Sequence, residues 1–163
     1  MRSEIGIDID APPEVVFALA REVTRWADLL PHYLRSRAIR RDADGRLLVE
    51  FVARRGMGRL PGAAVLVGWR ALTWSEPDAL RLRFLHRGGA TGGMDVTWRI
   101  ELGRDGHGSR VTIEHAFPAP PAWAAFVDRF FTSAIAGQTL ATFRAIAEAV
   151  ETSGATSHAN QPA

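Results

Sequence analysis

Few residues in this chain have both the type and the setting to do chemistry, and Arg70 comes first. It is the only charged residue between Arg59 and Glu76, in a stretch from Ala63 to Ser75 that is apolar at nearly every position. On a strand it shares parity with Leu66, Leu72 and Trp74. Turned inward, its guanidinium needs a carboxylate, a set of carbonyls or a ligand oxygen, because a buried unpaired charge costs several kcal/mol. Turned outward, it would pair with an acid on a neighbouring strand such as Glu101 or Glu114. Tyr33 is the single tyrosine and follows Pro31, where short helical segments give way to strands. Its phenol can donate to a carbonyl, or can simply be a satisfied core hydroxyl. His115 shares parity with Val111, Ile113 and Phe117, so an inward imidazole would serve as acid or base, the alternative being a satisfied core histidine. Arg70 and Tyr33 are the expected catalytic pair. Trp26, Met94, Trp98, His115, Trp123 and Val127 are the expected ligand-binding set, a large apolar surface suited to an aromatic guest and equally to a dry core.

Other chemistries lack their signatures. The histidines at 32, 86, 107, 115 and 158 show no metal-ligand spacing, and there is neither a G-x-S-x-G elbow nor an acid pair on one helix face. No metal or cofactor is expected. The glycines of Gly56 to Gly62 have G-x-G spacing but lead into a strand, the wrong context for a dinucleotide loop. Without cysteine the chain has no disulfide framework. All twenty basic residues are arginine, so the pI near 10.3 reflects missing lysines and a formal charge of only +2. The runs Arg35 to Arg41 and Arg54 to Arg59 stand near Asp42, Asp44 and Glu50 and read as solvated strand edges, with no nucleic-acid partner expected. The first ten residues alternate in polarity and carry three acids, neither a signal peptide nor a membrane span, so the cytoplasm is the expected location.

The elements that would position these residues follow from period and punctuation. Glu4 to Asp10 predicts a strand, then Pro12 and Pro13 start a short helix with Glu14 in its first turn. Thr24 is placed to cap a second short helix, Arg25 to Leu30, stopped by Pro31. Six strands follow: Tyr33 to Arg41, Arg46 to Arg55, Ala63 to Ser75, Leu80 to His86, Met94 to Leu102 and Arg110 to Phe117. Asp42 to Gly45 makes the first hairpin turn. From Pro120 to Glu151 apolar residues recur every three to four positions, an amphipathic helix of roughly 45 Å. Such a rod needs a broad surface to cover it, and a curved antiparallel sheet gripping the helix supplies one. Residues 1–152 are expected to form one domain, with a small polar, unordered tail from Ser153 to Ala163.

That order resembles the START-like helix-grip superfamily in its polyketide cyclase/dehydrase branch. D-A-P-P-E-V-V-F at 10–17, R-W-A-D-L-L-P-H-Y at 25–33, G-G-M-D-V-T-W at 92–98 and the long closing helix carry the resemblance. The segment from Trp26 to Ile39 is especially similar to tetracenomycin-type aromatase/cyclases. The resemblance implies an α+β fold with a seven-stranded sheet around the C-terminal helix, and a cavity in which a poly-keto chain cyclises and loses water. It also implies that an arginine and a tyrosine, matched by Arg70 and Tyr33, hold the carbonyl oxygens. Two departures are the insert Arg55 to Gly62 and the glycines Gly92 and Gly93. A non-catalytic carrier of a quinone- or lipid-like molecule is the alternative, asking only for a cavity and an entry gap. A ribosome-associating module, also known in this superfamily, would need a basic outer face that the small net charge does not supply.

Overall fold

The computed structural model describes residues 1–56, 64–88, 91–118 and 120–159. Arg55 and Gly56 aside, the insert proposed from Arg55 to Gly62 lies outside them. Seven strands form one antiparallel sheet: β1 (Arg2–Ile9), β2 (Tyr33–Arg41), β3 (Leu47–Gly56), β4 (Ala64–Glu76), β5 (Arg81–His86), β6 (Asp95–Leu102) and β7 (Ser109–Ala116). Their order is β1-β7-β6-β5-β4-β3-β2, so the chain leaves the edge at β1, crosses to β2 and meanders back to pair β7 with β1. The crossing contains α1 (Pro13–Ala20), a 3₁₀ turn at Val23–Arg25 and α2 (Trp26–Leu29).

Local chemistry explains each join. Pro12 precedes α1, and its carbonyl accepts from the Val15 and Val16 N–H groups. The sequence assigns the cap of α2 to Thr24, but the structure gives that task to Ser36 on β2. The Ser36 hydroxyl accepts from the Ala27 N–H at 2.8 Å and donates to the Thr24 carbonyl at 3.0 Å, tying the helical segment to the sheet. At the β2–β3 hairpin Gly45 has φ +85°, a conformation that glycine adopts without a steric penalty. The sheet alternates as a half-buried sheet must: Val49, Phe51, Leu82, Phe84, Val96, Trp98, Val111 and Ile113 face the core, with charged pairs on the other side.

The closing helix is not one uninterrupted rod. It consists of α3 (Pro121–Val127), a π-turn at Asp128–Thr132 and α4 (Ser133–Ala159). Leu140, Phe143 and Ala147 of α4 are buried against the sheet. The helix passes Glu151, the expected end, and takes in the start of the polar tail as far as Ala159. Trp26 is the hub of the core: its ring lies 5.3 to 5.8 Å from those of Tyr33, Phe51, Phe84, Trp98 and Phe143. Its indole N–H donates to the Ala20 carbonyl at 3.0 Å, locking α2 onto the end of α1.

Candidate functional site

Between the concave face of the sheet and the broken helix lies a cavity of about 350 Å³. Leu66 lines it while remaining 61% exposed, which puts the mouth at the start of β4, with Gly88 and Thr91 of the β5–β6 connection. Of the residues expected from sequence, Trp26, Tyr33, Met94, Trp98, His115 and Val127 all line this space. Arg70 and Trp123 do not.

Arg70 is corrected by the alternation of β4. Within the β3–β4 ladder Phe51 stands opposite Trp69 and Glu50 opposite Arg70. Phe51 and Trp69 stack at 5.3 Å on the concave side, so Glu50 and Arg70 must face the other way. The Arg70 side chain is 60% exposed, and its Nη2 donates to Glu50 Oε1 at 3.3 Å. Arg35 and Arg37 reach the second oxygen of the same carboxylate. Hydrogen bonds from Arg35 and then Arg70 hold the Glu50 carboxyl below its usual range. The outward pairing anticipated for Arg70 is therefore the one seen, with Glu50 in place of Glu101 or Glu114. Trp123 is turned out by α3: it is 46% exposed and stacks on Phe126, which in turn contacts Phe130.

Two groups of polar side chains enter the otherwise apolar cavity. At the first, Tyr33 is hydrogen-bonded to Thr139 of α4. Thr139 also donates to the Ile135 carbonyl at 2.8 Å and lies 2.9 Å from His32 Nε2. Burial pushes the Tyr33 phenol well above its ordinary pKa, the Thr139 bond acting in the opposite sense, so the hydroxyl stays protonated.

At the second group, His86 closes β5 with Nδ1 2.9 Å from Thr91 Oγ1, its ring parallel to Trp69 at 6.1 Å. His115 stands nearby on β7. Ser3 Oγ lies 3.4 Å from His115 Nδ1 and donates to Asp128 Oδ1 at 2.8 Å. Ser133 donates to the same carboxylate oxygen at 2.9 Å, and His115 Nδ1 itself is 4.0 Å from it. The serine has one proton, and the shorter, charge-assisted bond takes it. Ser3 must then accept from His115 Nδ1–H, which leaves Nε2 as the nitrogen with the lone pair. Burial lowers His115 to about 4, the Asp128 carboxylate acting against it, and lowers His86 to about 3, the neighbouring His115 adding to the effect. Both imidazoles are neutral at pH 7.

No lysine, arginine, aspartate or glutamate lines the cavity among the described residues. Among them, too, no three potential metal ligands cluster, and no helix is long and apolar enough to cross a membrane. The site is an apolar chamber with hydroxyls at one station and a neutral, oriented imidazole at the other.

A sequence profile of the family described as "Polyketide cyclase / dehydrase and lipid transport" matches residues 2–151. The chain belongs to this family. Its fold agrees with solved relatives. The di-domain ARO/CYC BexL from the BE-7585A biosynthetic pathway is 22% identical at a TM-score of 0.66, over 88% of this chain and 45% of that one. This chain thus spans under half of that di-domain protein. TTHA0849 from Thermus thermophilus is 19% identical at 0.68, with 92% and 99% covered. The Zhui aromatase/cyclase from Streptomyces sp. R1128 is 15% identical at 0.63, with 91% and 93% covered. At these identities the likeness is one of fold, the START-like helix grip. No curated protein matches the chain.

Sequence reasoning passed over Ser3, His86, Asp128 and Thr139. Parity alone places Ser3 with Ile5, Ile7 and Ile9, and His86 with Leu82 and Phe84. Asp128 and Thr139 carried no such signal, because their facing depends on the π-turn that begins at Asp128.

Proposed function

We propose that this member of the family binds a hydrophobic poly-keto molecule in the cavity and promotes its aldol cyclisation and dehydration, as an aromatase/cyclase-like enzyme. The observation that carries the reading is the Asp128–Ser3–His115 chain, which orients a neutral imidazole in a largely apolar cavity. His115 Nε2 takes a proton from a carbon between two carbonyls, the most acidic carbon of such a chain and the one a weak base can reach. The enolate carbon then bonds to a ketone carbon, and the alkoxide so formed recovers the proton from the imidazolium. A second proton lost from carbon and departure of the hydroxyl as water give the unsaturated ring. Asp128, acting through Ser3, offsets the transient charge on His115. The Tyr33 hydroxyl meets a carbonyl oxygen, and the aromatic walls restrict how the chain folds.

A carrier function is the second reading, favoured by one observation: Arg70 lies outside, so no fixed cation faces the guest among the described residues. Turnover of a short poly-β-keto thioester, followed by chromatography of the aromatic product, separates the two. With His115→Gln it should fall by about a hundredfold or more while the thermal midpoint holds within a few degrees. Undiminished turnover in that variant removes His115 as the base. Saturable binding without turnover in the wild type selects the carrier.

A further inference from the structure

Accepting the cavity as a ligand site, its dimensions and polarity narrow the guest further. A volume of about 350 Å³ walled by aromatic side chains accommodates one or two fused rings, or a short chain folded to that size.

Charge is restricted as well. A carboxylate or phosphate brought among Trp26, Trp69, Trp98 and Val127 would lose its hydration and find no cation on the described lining, the Arg70 guanidinium being spent on Glu50 at the convex face. Hydrogen-bond sense is fixed at His115 by the chain already described. Because Ser3 gives its proton to Asp128, His115 spends its N–H on Ser3 and offers the guest a lone pair. The Tyr33 hydroxyl forms the second station. Trp69 stands between them, its ring 5.8 Å from that of Tyr33 and 6.1 Å from that of His86.

We infer that the cavity selects an uncharged guest of one or two rings that donates a hydroxyl, phenolic or enolic, to His115 Nε2 and sets a second oxygen against Tyr33. Carboxylates are excluded. In the reaction proposed above this is the enol tautomer of a short poly-keto chain, or the phenol it becomes.

Isothermal titration calorimetry at pH 7.5 tests this with four probes: 2,7-dihydroxynaphthalene, 2,7-dimethoxynaphthalene, 2-naphthoate and palmitate. The diol should bind one to one, about tenfold tighter than the dimethyl ether, which has the same rings and no donor. Naphthoate and palmitate, both carboxylates, should each be weaker than the diol by about a hundredfold. Ser3→Ala frees the His115 tautomer and should bring the diol and ether within about threefold of each other. His115→Leu should do the same, and circular dichroism shows whether each variant is folded. Equal affinity for diol and ether in the wild type, naphthoate or palmitate as tight as the diol, no binding of the diol at all, or an unchanged preference in folded Ser3→Ala overturns the proposal. None of the probes can cyclise. Failed turnover with intact selectivity therefore refutes the catalytic reading alone, and lost selectivity refutes the guest assignment alone.

Discussion

Acid should unfold this protein early, and the histidines that line the cavity set the scale. His86 and His115 are buried, and burial lowers them from 6.5 to about 3 and about 4. In the fold they stay neutral, whereas in the unfolded chain each takes a proton as the pH drops below 6.5. The unfolded state then binds more protons, so stability is complete above 6.5 and is lost progressively as the pH falls toward 4. At 1.36 kcal/mol per pH unit, each histidine removes about 2 kcal/mol at pH 5, and the two together about 4 kcal/mol. A domain of this kind has about 5–15 kcal/mol in total, so that is a large share. His32, lowered to about 4 by burial, acts in the same direction. Urea denaturation at pH 7.5 and pH 5.0 measures the difference directly. In the double variant His86→Gln, His115→Gln most of it should vanish. A wild-type loss below about 1 kcal/mol would mean that water reaches these rings and that burial does not hold them neutral.

Arg70→Ala should leave guest affinity and turnover within about twofold and stability within about 1 kcal/mol, because an exposed pair is being removed and Arg35 and Arg37 still serve Glu50; a severalfold loss of activity would return Arg70 to the site. Trp26→Ala should cost about 4 kcal/mol or more by urea titration, from the vacated core volume and a stranded Ala20 carbonyl, while Trp26→Phe should cost about half as much. Gly108→Ala should lower stability by about 2 kcal/mol or more, since φ is +57° there and a Cβ would press into the Ile9 carbonyl oxygen; an unchanged midpoint would show that the β6–β7 loop yields at no cost.

The strand boundaries were readable within a residue or two because alternation and turn chemistry agree along most of the sheet. Met94, Val96, Trp98 and Ile100 alternate with charged or polar neighbours, and all four are buried as that pattern requires. β4 gave no such guidance. Ala63 to Ser75 is apolar on both parities, so nothing in the residues themselves showed whether Trp69 or Arg70 faced inward. The ladder to β3 decides it, because Glu50 stands opposite Arg70 and supplies the carboxylate that an arginine would otherwise seek in the cavity. Outer-face apolar residues of β4 have uses of their own: Trp74 lies under the guanidinium groups of Arg46 and Arg83, at 4.5 and 5.4 Å. A tryptophan covered by two cations on the convex side mimics a core residue in any hydrophobicity count.

The helix misled for a different reason, and the site depends on that reason. A regular α-helix through Ala124 and Val127, both buried, would bring positions 131, 134 and 138 to the cavity in succession. The π-turn at Asp128–Thr132 absorbs one extra residue, so Thr132, Ile135 and Thr139 line the cavity and Gln138 goes to solvent. Thr132 marks the wider turn by donating to the Val127 carbonyl at 3.1 Å. Asp128, at the first residue of the turn, reaches Ser3 across the edge strand, while Thr139, about three turns on, reaches Tyr33. One inserted residue thus places both polar stations. The apolar period read from sequence assumes a constant 3.6 residues per turn, and on that assumption neither Asp128 nor Thr139 has a reason to be where it is. Trp123, Phe126 and Phe130 gather on the outer side of the helix that covers the cavity, a second apolar stripe beside Ala124 and Val127, and an apolar period alone does not tell which of two adjoining stripes faces the wall.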